Sequence, residues 1–149
     1  MILWRISNHT RLDGEGGLRA PGRWHTRGQR IVYCAQSPAA ALLEVLVHAE
    51  IDIEDLPATF RYLEIEAPDS VRIEQVDIPN LGPHWKQDLA ITRRVGDDWL
   101  RALQSPLLRV PSVIVPETWN VLMNPRHPNA GRVRILRVHT HLVDPRLLA

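Results

Sequence analysis

Cysteine is nearly absent from this 149-residue chain: Cys34 stands alone, which excludes a fold stapled by internal disulfides. Lysine is as scarce, since every basic residue except Lys86 is arginine. No apolar run approaches the ~18 residues of a membrane span; the best candidate, Ala39 to Val47, is interrupted by Glu44. Neither sign of charge dominates, with 18 basic against 17 acidic side chains and a net +1. That balance argues against a dedicated nucleic-acid binder, whose domain pI usually exceeds ~9. Phosphate-binding signatures are missing too: no G-x-x-x-x-G-K-[ST] and no G-x-G-x-x-G occurs. No Gly-x-Ser-x-Gly elbow supports a hydrolase triad. The leading residues, Met1-Ile2-Leu3-Trp4-Arg5, do not form a basic leader followed by an apolar stretch, so a cytoplasmic protein with no membrane association is expected.

What is present fits one globular domain spanning residues 1–149, a size at which roughly 68–70% of the unfolded surface is buried. Arginine is a planar fork suited to phosphate and carboxylate oxygens, so an anionic ligand is expected, although a GC-rich genome also enriches arginine. Twelve prolines point to short elements joined by stiff turns. Met1–Ile6 reads as a strand. Residues 7–30 hold five of the eight glycines and read as a long loop, a feature often tied to function. Ile31–Ala35 is a β-rich buried strand.

The clearest helix follows. Ser37 is a good N-cap, Pro38 fits the first turn, and Ala39 through Glu50 are largely helix formers and aliphatics. Further strands are expected at Thr59–Ala67, Val71–Ile78, Leu108–Val115 and Arg132–Val138, with a turn at Asn80–His84. One helix is expected over Trp85–Arg94 and, after Gly96, a second over Asp97–Gln104. Strands and helices do not alternate regularly, which predicts an α+β domain with a mostly antiparallel or mixed sheet.

Glu44 is the most informative single residue. Its neighbours on the helix face are Ala40, Ala41, Val47 and His48, and Leu42, Leu43 and Leu46 cover the other side, so the helix should be buried. A buried carboxylate needs a partner, without which its pKa would rise. His48 or a distant arginine would serve; so would a ligand cleft. Arg23 sits between Gly22 and Gly28 in the loop, where glycine allows close approach and arginine binds phosphate in bidentate fashion. Tyr33 faces opposite to Val32 and Cys34, either as ordinary core or as a flat surface for a heteroaromatic ring. Ser112 interrupts an apolar strand, where a hydroxyl bonded to nearby backbone is the usual explanation. His139 and His141 share a strand face, but no cluster of Cys, Asp or Glu completes a metal site.

Several segments, in order, resemble the RES domain family, named for an arginine, a glutamate and a serine. They are Gly22-Arg23-Trp24, Ile31-Val32-Tyr33-Cys34-Ala35, Ser37-Pro38 through Val47-His48, Val110-Pro111-Ser112-Val113-Ile114-Val115, Asn120-Val121-Leu122-Met123-Asn124-Pro125, and Asp144-Pro145-Arg146-Leu147. One departure is His25, where the family pattern has a small polar residue such as asparagine. The resemblance implies a fold similar to ADP-ribosyltransferases and the toxin half of a bacterial toxin–antitoxin pair. NAD+ would be the substrate, degraded by hydrolysis or phosphorolysis or used for ADP-ribose transfer, with no further cofactor. It also implies an antitoxin partner with an Xre-like helix-turn-helix domain, through which alone DNA is reached.

Carried over by position, Glu44, Arg23 and Ser112 are the catalytic candidates, and Arg23, Tyr33, Ser112 and Asn124 the substrate-binding ones. Arg23 would hold pyrophosphate or ribose oxygens, and Tyr33 would stack on nicotinamide. Glu44 would stabilise positive charge at the anomeric carbon, and Ser112 would orient the ribose or amide. The scheme requires Arg23 and Glu44 to share one pocket. Apolar and tryptophan-rich segments leave room for a homodimer. Two other function classes compete: a non-enzymatic arginine-rich binding module, and an RNA-cleaving toxin using His25, His48 or His127 as acid and base.

Overall fold

Short β-rich runs separated by turns combine into one seven-stranded sheet in a computed structural model that describes residues 1–48 and 56–148. The strands are β1 (Ile2–Ile6), β2 (Val32–Ala35), β3 (Thr59–Glu66), β4 (Ile73–Gln75), β5 (Leu107–Pro111), β6 (Trp119–Met123) and β7 (Arg134–Leu142). Their order across the sheet is β4-β5-β6-β2-β1-β3-β7. Only β4 and β5 run parallel; the other pairs are antiparallel. The helices are α1 (Gly16–Arg19), α2 (Pro38–His48) and α3 (Leu89–Ala102). This is the expected α+β domain with a mixed sheet.

Period-two alternation divides the sheet between two cores. Leu3, Val32, Cys34, Leu63, Ile65, Leu107, Val121 and Met123 fill one face, under a cover that includes Val71, Ala130 and Val133. Leu108, Val110 and Leu122 point the other way, into a cluster with Trp24, Trp85, Trp99 and Leu100, and Tyr33 packs against it. Tyr33 therefore faces opposite to its neighbours Val32 and Cys34, as the alternation requires. Each such aliphatic side chain, fully buried, contributes ~1.5–3 kcal/mol of transfer free energy. Burial also pushes the Cys34 thiol up to about 11, so this cysteine behaves as a small core hydrophobe.

Several expectations are corrected. The stretch from Trp85 to Gln104 is not two helices split at Gly96; residues 85–87 belong to a turn, and one helix runs straight through the glycine. Asp88 caps it, its carboxylate accepting from the Ala90 N–H at 3.0 Å. The expected strand at Leu108–Val115 ends at Pro111, because Ser112 opens a turn that leads into β6, a strand the sequence reading did not separate. The strand expected over Val71–Ile78 shrinks to Ile73–Gln75, and Ile78–Leu81 is a 3-10 turn. The last strand runs Arg134–Leu142 rather than Arg132–Val138.

Helix α2 begins as expected, with Ser37 Oγ accepting from the Ala40 N–H at 3.0 Å; residues 49 and 50 of the expected helix lie outside the described residues. Its burial is overturned. Only Ala41 is buried, while Leu43 and Val47 are 40% and 55% exposed. The helix rests on β1 and β2 by one side, and nothing among the described residues covers the other.

Candidate active site

The loop carrying Arg23 is held by one side of α3. Residues 92, 93, 96 and 97 share that side at helical spacing. Thr92 Oγ1 donates to the Arg23 carbonyl at 2.6 Å and Arg93 Nε to the Gly22 carbonyl at 2.8 Å. Asp97 accepts from Thr26 twice, from its N–H at 3.0 Å and its hydroxyl at 2.8 Å. Between these contacts the loop backbone lies directly on the helix: a Cβ at Gly96 would stand 1.6 Å from the Trp24 carbonyl oxygen. Gly96 is thus required by packing against the loop, not by a helix end.

From the sheet side, Tyr33 closes the same loop. Its hydroxyl accepts from the Trp24 N–H at 3.1 Å and meets His25 Nδ1 at 2.7 Å. His25 Nε2 lies 3.0 Å from the Ala20 carbonyl. A carbonyl only accepts, so Nε2 carries the proton, Nδ1 is the acceptor and Tyr33 donates to it. Burial holds His25 below its ordinary pKa and raises the Tyr33 phenol, so both stay neutral near pH 7. Gly22 sits against this pair; a Cβ there would come within 2.4 Å of the Tyr33 oxygen.

Glu44 reaches from α2 toward β6. Its Oε1 accepts from Asn120 Nδ2 at 2.8 Å and from Ser112 Oγ at 3.4 Å, while Oε2 pairs with His48 at 3.0 Å. Ser112 is buried at 7% exposure and also accepts from the N–H groups of Ile114 and Val115, at 3.1 and 3.2 Å. It therefore both shapes the turn after β5 and faces the carboxylate. The expected partnership of Glu44 with Arg23 takes a different form. The ion pair at Glu44 is with His48. Even so, Glu44 is the charge that acts most strongly on Arg23, supporting its cationic form against the burial that lowers its pKa. The Arg23 guanidinium is half-buried and anchored by Nη1 to the Lys86 carbonyl at 3.1 Å.

Ser112 thus meets the Glu44 carboxylate directly, and Arg23 lies near enough to Glu44 and Tyr33 to be influenced by both. Asn124 is not among them. It is fully buried, donating to the Leu100 carbonyl at 3.0 Å and accepting from the Arg126 N–H at 3.1 Å, so it ties the end of β6 to α3. The asparagine at the carboxylate is Asn120, which sequence reasoning missed. It stands opposite Ala35, two residues beyond Tyr33 on β2, a register that is legible only once β6 is known to be a strand. Arg93 and Asp97 were missed as well, being 71 positions from the loop atoms they hold.

His139 and His141 share a face as expected, rings stacked at 6.2 Å, with His139 bonded to Glu64 at 2.8 Å. Together with Trp4, Tyr62, Pro38, Ala39 and Leu42 they line a groove of about 400 Å³. Leu42 and Glu44 are two residues apart on a helix and point in nearly opposite directions, so this groove lies across α2 from the carboxylate.

A single carboxylate braced by neutral donors, with guanidinium groups and a tyrosine beside it, suits a ligand that is anionic at one end and gains positive charge at the other. The RES domain model matches residues 2–144. The chain belongs to the RES domain family. It is 50% identical over 147 residues to Toxin Res of Pseudomonas putida, covering 99% of each chain. It is 39% identical over 155 residues to the Prs ADP-ribosylating toxin of Sphingobium sp., covering 97% of this chain and 95% of the other. With kinship this close, it is a RES domain toxin. The fold is also that found in the Mycobacterium tuberculosis MbcT–MbcA toxin–antitoxin complex, at a TM-score of 0.74 with 18% identity, over 99% of this chain and 86% of that one. No helix among the described residues of this RES domain protein is long and apolar enough to cross a membrane.

Proposed function

We propose that this RES domain protein is the toxin of a toxin–antitoxin pair and breaks the nicotinamide–ribose bond of NAD+. The reading is supported above all by the environment of Glu44: a carboxylate whose Oε1 is fixed by Asn120 and Ser112, with the Arg23 guanidinium close enough to feel its charge. In the reaction the bond from the anomeric carbon to the nicotinamide nitrogen breaks, and its electron pair goes to the ring. The pyridinium leaves as neutral nicotinamide and needs no general acid. Positive charge develops on the ribose, and an anion held in place beforehand stabilises it without reorganisation. Water, phosphate or a nucleophile of a target protein then adds to the anomeric carbon, giving hydrolysis, phosphorolysis or ADP-ribose transfer.

Arg23 holds phosphate oxygens, the Tyr33 ring lies against the nicotinamide, and Ser112 orients the ribose or amide in this scheme. Its partner is an antitoxin with an Xre-like helix-turn-helix domain, in keeping with the family resemblance and with the toxin–antitoxin complex that shares its fold. An RNA-cleaving mechanism gains no support: His25 is buried with both ring nitrogens engaged, His48 is paired with Glu44, and His127 accepts from the Asn129 N–H at 3.0 Å in a separate turn.

The test is nicotinamide release from NAD+ by purified protein, with products identified by mass spectrometry with and without phosphate. Glu44→Gln keeps an acceptor for Asn120 and so preserves the fold, and it should slow release by about 10²–10³, the cost of removing one preorganised electrostatic group. Equal turnover in that variant removes Glu44 from the chemistry. A folded wild-type protein that releases no nicotinamide, even with phosphate or a protein acceptor, refutes the activity.

A further inference from the structure

Two guanidinium groups sit at the loop end of the site where one was expected. Arg93 is anchored by Nε to the carbonyl of Gly22, the residue just before Arg23, which leaves both of its Nη groups as donors. Arg23 uses Nη1 on the Lys86 carbonyl. Both side chains are half-buried. Among the described residues neither has a carboxylate within ion-pair distance, although most other ion pairs of the molecule engage an arginine. The two cations repel, and Arg93 lowers the pKa of Arg23. Glu44 offsets part of this at Arg23, but holding like charges together, partly desolvated and with no carboxylate in ion-pair contact, costs stability and is a familiar mark of a site built for an anion. The carboxylates near them are committed elsewhere: Asp97 to Thr26, and Glu44 to Asn120, Ser112 and His48.

We propose that Arg93 is a ligand-binding residue that, with Arg23, grips the two phosphates of a pyrophosphate-bearing ligand, Arg93 taking the phosphate that Arg23 does not. A single phosphate occupies one fork; a diphosphate occupies both. The inference rests on the NAD+ reading for its choice of substrate, but its chemistry makes a separate demand: the site selects a dinucleotide over a mononucleotide because the second guanidinium is there.

Isothermal titration with inorganic pyrophosphate and with orthophosphate tests this without any turnover. Wild type should bind pyrophosphate more tightly than orthophosphate. Arg93→Gln should weaken pyrophosphate binding by about ten- to hundredfold, the range for a charge-assisted bond to phosphate, and bring it close to orthophosphate. Arg94→Gln, at an exposed neighbouring position, should leave both unchanged. Arg93→Lys keeps the charge but loses the Nε bond to Gly22, and should retain an intermediate preference for pyrophosphate. In an active enzyme Arg93→Gln should raise KM for NAD+ and spare kcat. The proposal is overturned if wild type shows no preference for pyrophosphate, if Arg93→Gln binds it as wild type does, or if the Arg93 and Arg94 variants lose affinity equally. Failure of NAD+ cleavage with pyrophosphate binding intact refutes the activity and leaves this anion site standing.

Discussion

Gly96→Ala sets helix propensity and packing against each other. In the middle of a 14-residue helix, replacing glycine with alanine ordinarily stabilises by ~1 kcal/mol. Here the new methyl would stand 1.6 Å from the Trp24 carbonyl oxygen and 2.6 Å from its carbon. Backbone cannot swing aside as a flexible side chain can. The loop must retreat by close to 2 Å to reach ordinary contact, and the bonds around it then stretch or break. Those at risk are Thr92 to Arg23 at 2.6 Å, Arg93 to Gly22 at 2.8 Å, and the two from Thr26 to Asp97.

Overpacking of this kind costs ~1–3 kcal/mol, and two lost hydrogen bonds add ~1 kcal/mol each. Against the propensity gain, a net destabilisation of roughly 2–4 kcal/mol remains. At this chain length that lowers Tm by about 5–12 °C. Because Arg23 rides on the displaced loop, KM for NAD+ should rise in the protein that still folds. A thermal melt and a KM measurement check both parts. A variant that melts at or above the wild-type temperature with unchanged KM would refute the claim that α3 is the seat of the Arg23 loop.

Two further outcomes follow from the neutral groups around the site. Asn120→Asp sets a new carboxylate where an amide donated at 2.8 Å; two acids in contact cannot both ionise easily. The acid limb of the nicotinamide-release profile should move up by about one pH unit, so that kcat on the acid side of the limb falls by up to about tenfold; a superimposable profile counts against Asn120 as the brace of Glu44. His25 is held below its ordinary pKa by burial, so on acidification the unfolded chain takes up its proton first. Its contribution is complete above ~6.5 and declines as pH falls from there through the lower folded value. Melting temperature should drop across that window, and His25→Gln, which cannot titrate, should show a shallower fall; equal slopes would exclude His25 as the responsible group.

Local signals in the chain were strong where the element made its own case. Ser37 and Pro38 announce α2, and the alternation around Tyr33 announces which way its ring faces. Signals failed where a distant segment decides. Gly96 reads as a helix break because glycine usually is one; only the Trp24 carbonyl, brought from far away in sequence, explains it. The apolar stretch from Leu108 hides a strand end, since the turn at Ser112 is fixed by its hydroxyl and by a bond from its N–H to the Thr118 carbonyl at 2.8 Å. Helix α2 misleads in the opposite sense. Its apolar residues surround the axis, but the sheet offers only one side to pack against, so Leu43 and Val47 stay exposed.

The same distinction separates the two accounts of Glu44. An i,i+4 partnership with His48 was visible in the sequence and is present, yet a pair whose histidine is 63% exposed is worth only ~0.3–0.5 kcal/mol even when the histidine is charged. It cannot be what holds a carboxylate in a fixed direction. Asn120 and Ser112 supply that direction, from 76 and 68 positions away. Neither is charged, so they orient the anion without neutralising it. Arg23 makes no ion pair with Glu44, yet it is near enough for the carboxylate to support its cationic form. A carboxylate oriented by amide and hydroxyl rather than quenched by a guanidinium keeps its full attraction for a positive centre that exists only while a bond is breaking.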